Sequence, residues 1–69
     1  MKMRDVKSSS IRSVGYEPET KTLGVTFNHG MTYHYANVDQ EIYDAMMVAE
    51  SVGKFFQQEI KNRFKGVKQ

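Results

Sequence analysis

The chain has 69 residues, a formal net charge of +2 and no cysteine. At that length it makes one domain that hides only about 60% of the surface its unfolded chain exposes. The lack of thiols excludes disulfides and thiolate metal sites. No apolar run approaches the roughly 18 residues of a membrane span. Met1-Lys2-Met3-Arg4-Asp5 has no apolar stretch behind its charges, so it does not read as a signal peptide, and a cytoplasmic protein is expected.

Residues 1–7 read as a flexible arm, followed by Ser8-Ser9-Ser10 at the entry to a first strand, Ile11 to Tyr16. Val14 and Tyr16 share a face there, and Ile11 is out of phase with them, which predicts a bulge or entry kink. Glu17-Pro18-Glu19-Thr20 is a turn, with proline setting φ. In Lys21 to Asn28, Leu23, Val25 and Phe27 alternate with Thr22, Gly24 and Thr26, the pattern of a half-buried strand. Asn28-His29-Gly30 closes a tight hairpin, and Met31, Tyr33 and Tyr35 line one face of a third strand. Matching apolar with apolar across that hairpin puts Tyr33 and Tyr35 on the core face, and Thr26, Thr32 and His34 outside.

After Ala36 the period becomes helical. Asn37 or Asp39 is the expected N-cap, and Ile42, Ala45, Met46 and Ala49 form the stripe of a first helix, with Tyr43 and Met47 beside it. Ser51 caps a second helix, in which Val52, Phe56, Ile60 and Phe64 recur every four residues. Gly53 in its first turn is expected to let the helices approach closely, at a cost of about 1 kcal/mol relative to alanine. Gly66 supplies the stop. The expected architecture is α+β, a three-stranded antiparallel β-meander followed by two α-helices packed on one sheet face. The single domain spans residues 8–65, and residues 66–69 are a tail.

An ordered set of residues from about Ser8 to Phe64 resembles the KTSC domain family. It runs Ser9-x-Ile11-x-x-Val14-Gly15-Tyr16, Leu23-x-Val25-x-Phe27 and Gly30, then the central Tyr33-His34-Tyr35. Val38, Tyr43, Ala49, Ser51-x-Gly53 and Phe56-x-x-x-Ile60-Lys61-x-Arg63-Phe64 complete it. Where the family commonly has prolines after the valine, this chain has Asp39-Gln40. The domain occurs alone in short bacterial and phage proteins and at the C-terminus of some lysyl-tRNA synthetases. The resemblance thus implies a fold, and RNA binding as a conjecture from the synthetase attachment.

Charge is segregated along the chain. Residues 1–12 hold four basic side chains against one acidic (+3), residues 13–50 one against six (−5), and residues 51–69 five against one (+4). Basic ends suit an anionic partner or simply aid solubility. Lys54, Gln58, Lys61 and Lys65 fall at helical spacings of four, three and four, a ridge away from the apolar stripe, with Gln57 and Arg63 flanking it. The leading reading is a non-catalytic module for RNA or another phosphate-rich nucleotide ligand. Arg12, Lys54, Lys61, Arg63 and Lys65 would hold phosphates, and Tyr16, Tyr33, His34 and Tyr35 would stack on bases or make polar contacts. A second reading is a phage-type oligomer that sequesters a small nucleotide signal between subunits. A third is a protein-interaction module using a patch of Tyr43, Met47 and Met3. No catalytic constellation, cofactor motif or metal set is legible, so no enzyme is expected.

Overall fold

The computed structural model describes residues 1–69. Its centre is the expected meander, strands β2 (Ile11–Glu17), β3 (Thr22–Phe27) and β4 (Thr32–Tyr35). The register shifts between Ile11 and Ser13, so Arg12 is an extra residue that rotates Ile11 onto the same face as Val14. Val14 then pairs with Val25 and Tyr16 with Leu23, while Val25 pairs with Tyr33 and Leu23 with Tyr35. Both tyrosines of β4 therefore stand on the core face, Tyr35 buried and Tyr33 half-buried. Thr26 and Thr32 join hydroxyls at 2.7 Å on the other face.

The sheet has five strands, not three. β1 (Met3–Asp5) pairs antiparallel with β2, and β5 (Gly66–Lys68) pairs antiparallel with β4, giving the order β1-β2-β3-β4-β5. Residues 3–5 of the arm and 66–68 of the tail are thus strands of the sheet. Gln69 extends the pairing by donating its N–H to the Thr32 carbonyl at 2.8 Å. Three-residue edge strands carry no readable alternation. They form because β2 and β4 each present an edge of unpaired backbone groups.

Helix α1 (Gln40–Val48) and helix α2 (Val52–Phe55) cover the core face. Asp39 occupies the N-cap of α1 without capping it through its side chain, because its carboxylate meets Lys21 Nζ at 3.2 Å. The stripe of α1 is narrower than expected: Met46 is buried, Ile42 and Ala49 half-buried, and Ala45 exposed. Ser51 caps α2, its Oγ accepting from Lys54 N–H. Beyond Phe55 the helix widens into a π turn (Phe56–Ile60), closed by Lys61 N–H donating to the Phe56 carbonyl at 2.9 Å. The core joins Ile11, Val14, Leu23, Val25 and Tyr35 of the sheet to Val38, Met46, Val52, Phe56 and Ile60. Gly53 approaches the serine loop rather than α1: a Cβ there would lie 3.1 Å from the Oγ atoms of both Ser8 and Ser10.

The outer face has its own cover. The row Gly15, Gly24 and His34 lies under the side chains of Met1 and Met3, which fill the room the two glycines leave.

Candidate functional site

The core face is incompletely filled at the hairpin end of the sheet. Phe27, Tyr33, Tyr35 and Phe56 meet there edge to face, with centroids 5.4–5.8 Å apart and ring planes crossed at 72–78°. Crossed rings form walls, and between them is a cavity of about 340 Å³. His29, Gln57 and Lys61 complete its lining. The β3–β4 hairpin supplies Phe27, His29 and Tyr33, and the end of β4 supplies Tyr35. The π turn supplies Phe56 and Gln57, with Lys61 directly after it. π-Helical turns occur frequently at functional sites. This one buries Phe56 and Ile60 and leaves the residues following each of them, Gln57 and Lys61, at the cavity.

The polar groups of the cavity are specific in character. His29 stacks on Phe27 at 5.5 Å and 23°, and its Nδ1 accepts the Met31 N–H at 3.2 Å. A neutral ring so engaged carries its proton on Nε2 and offers a donor. Lys61 makes no ion pair, and no carboxylate lines the cavity. Burial pushes the Tyr35 hydroxyl above its ordinary pKa of 10.0, and the neighbouring Tyr33 adds to the effect. Nowhere do three His, Asp or Glu side chains converge as a metal set would require.

Of the residues expected to bind a ligand, Tyr33, Tyr35 and Lys61 come together here. Arg12 is tied to the same hairpin, its Nη2 donating to the Asn28 carbonyl at 3.1 Å. Lys54 and Lys65 are exposed but do not line the cavity, and Arg63 is engaged by Glu59 at 2.8 Å. Of the basic ridge, only Lys61 lines the cavity. His34 lies on the outer face beside Gly24. Tyr16 is at the far end of the core face, stacked on Tyr43 at 5.2 Å and 15°, its hydroxyl donating to the Val38 carbonyl. The patch of Tyr43, Met47 and Met3 is not continuous, since Met3 sits on the outer face and Tyr43 against Tyr16 on the inner.

Phe27, Phe56 and His29 were not legible as site residues, whereas Gln57 flanks the basic ridge. The two phenylalanines have the periodicity of core positions, and His29 reads as an exposed turn residue. The signal for the hairpin side was Phe27 two residues before a histidine in a hairpin that also leads to Tyr33.

The family model of the KTSC domain matches residues 7–64. The chain belongs to the KTSC domain family. The crystal structure of a KTSC domain protein from Yersinia pestis superposes with a TM-score of 0.93 at 36% identity, covering 99% of this chain and 96% of that one. A protein of Tsukamurella paurometabola is 40% identical over 65 residues, 94% of this chain and 97% of that protein. A lysine–tRNA ligase of a Nostoc species is 36% identical over 59 residues. That match takes in 86% of this chain but only 10% of the ligase. The KTSC fold thus occurs both as nearly a whole protein and as a small part of a much larger one.

Proposed function

We propose that this KTSC domain is a non-catalytic module that binds RNA or another phosphate-rich nucleotide ligand through the aromatic cavity. The observation that carries the reading is the composition of its wall, with four rings, a free lysine and no carboxylate. Rings recognise base faces, and an ammonium beside them meets a phosphate oxygen. Arg12, Lys54 and Lys65 add positive charge beyond the cavity, which favours an anionic polymer further. The matching segment in a lysine–tRNA ligase agrees with a role next to RNA.

The test is titration of labelled single-stranded RNA and tRNA at two salt concentrations. Binding should weaken as salt rises, and Lys61→Ala should weaken it further with the melting temperature nearly unchanged. No binding at low salt, or binding indifferent to salt, would overturn the proposal.

A further inference from the structure

We infer that the cavity is a one-nucleotide site, taking a single base with its 5′-phosphate rather than tracking a strand. The inference rests on the nucleotide-binding reading above and specifies its ligand class. The geometry of the rings carries it. Proteins that follow single strands present successive aromatic platforms on which neighbouring bases stack in turn. Here the adjoining pairs Phe27–Tyr33, Phe27–Phe56 and Tyr35–Phe56 are all crossed at 72–78°, and the one stacked pair in the wall, Phe27 and His29, is stacked on itself, so the rings line one open cup rather than a stepped row of platforms.

Its size agrees. About 340 Å³ is at the small end of the roughly 300–1,000 Å³ typical of small-molecule pockets. No second platform lines the cavity: Tyr16 and Tyr43 are stacked on each other at 15°, and Phe55 and Phe64 are partly buried against the core.

The polar groups also number enough for one unit. Lys61 is the only cation on the cavity wall, which provides for one phosphate group. His29 offers its Nε2–H because Met31 N–H occupies Nδ1, and the Gln57 amide both donates and accepts. One base edge and one phosphate use these groups completely.

Competition separates this inference from the broader reading. A labelled short single-stranded RNA is bound to the full chain, and nucleoside 5′-monophosphates, ribose 5-phosphate and inorganic phosphate are added in turn. The mononucleotides should displace the RNA and saturate at one per chain, with ribose 5-phosphate at least about tenfold weaker, since it lacks the base that stacks. Tyr33→Ala and Gln57→Ala should each weaken mononucleotide and RNA together. Gln57 is exposed, so its variant keeps the test open if Tyr33→Ala fails to fold. RNA that binds but resists every mononucleotide overturns the one-nucleotide site and leaves the RNA reading standing. Ribose 5-phosphate competing as well as the nucleotides also overturns it, because the base would then contribute nothing. A chain that binds neither RNA nor mononucleotide overturns both.

Discussion

The ring of Tyr35 lies across Gly66, its cross-strand partner on β5, so closely that a Cβ on the glycine would stand 2.6 Å from Cε2 and 2.8 Å from Cζ. Tyr35 is 6% exposed, and its other side meets Phe56 at 5.6 Å. The ring is therefore held between a helix and a bare stretch of backbone. The helical region ends at Ile60, so Gly66 is not the helix stop expected from the sequence but the first residue of the last strand, and it lets that strand close over the core.

Gly66→Ala should accordingly cost about 1–3 kcal/mol, the range for overpacking a well-filled site. The buried ring cannot swing away as a flexible chain end can. Urea unfolding measures the loss, and amide exchange at Val67 and Gln69, whose N–H groups face β4, reports whether β5 separates from it. An unchanged midpoint with protected β5 amides would contradict this account.

Two glycines on the outer face should respond differently from each other. A Cβ at Gly24 would meet Met1 Sδ at 2.5 Å and nothing else inside 3.4 Å, and a thioether can move aside. At Gly15 it would meet the Lys2 carbonyl oxygen at 2.8 Å as well as Met3 Sδ at 2.7 Å. Gly24→Ala should be neutral or stabilising by up to about 1 kcal/mol, since glycine is a weak strand residue. Gly15→Ala should push β1 from the sheet and lower the unfolding midpoint. Equal effects in the two variants would show that backbone and thioether yield alike.

The two tyrosines of β4 should divide stability from binding. Tyr35 is buried, so Tyr35→Ala should cost on the order of 3–5 kcal/mol, as large-to-small changes at buried aromatics do. Tyr33 is half-buried and lines the open cavity, so Tyr33→Ala should cost less, roughly 1–2 kcal/mol. Its main effect should be on nucleotide affinity. Thermal melts beside RNA titrations make the comparison; a Tyr33 variant as unstable as the Tyr35 one would place both rings in the core.

Stability should fall in alkaline solution. Burial raises the Tyr35 pKa first, then Tyr33; for Tyr16 burial comes first and then Asp39, with Lys21 opposing and Asp44 adding. Between the ordinary value of 10.0 and the raised values, the folded chain holds protons that the unfolded chain has released. Stability contributed by these groups is complete below pH 10.0 and is lost as pH rises through the raised values. Melting temperature against pH, with tyrosinate absorbance followed in parallel, should show the decline. Tyr35→Phe should flatten it, and a melting point level throughout that range would rule the linkage out.

The meander was readable because Leu23, Val25 and Phe27 alternate cleanly and the Asn28-His29-Gly30 turn fixes how Tyr33 and Tyr35 oppose them. The bulge at Arg12 was readable because Ile11 is apolar but out of phase. The outer strands were not, since Met3–Asp5 and Gly66–Lys68 owe their conformation to backbone groups on β2 and β4 rather than to their own side chains. Nor was the π turn, because Phe56 and Ile60 are four apart in either kind of helix. The cavity escaped for a subtler reason. Phe27 and Phe56 have the spacing of core residues, and only the crossing of their rings shows that they leave a space.

The two basic ends of the sequence flank the two open edges of the sheet. Lys2, Arg4 and Lys7 lie along or beside β1, and Lys65 and Lys68 along or beside β5. An unprotected edge is a template on which a second copy can add its own strand. Here basic groups outnumber the one carboxylate on these strands, Asp5, and like charges about 4 Å apart in water repel by roughly 1 kcal/mol each. The polarised charge of this chain therefore sets repulsion at both rims against the growth of the sheet from one molecule into the next.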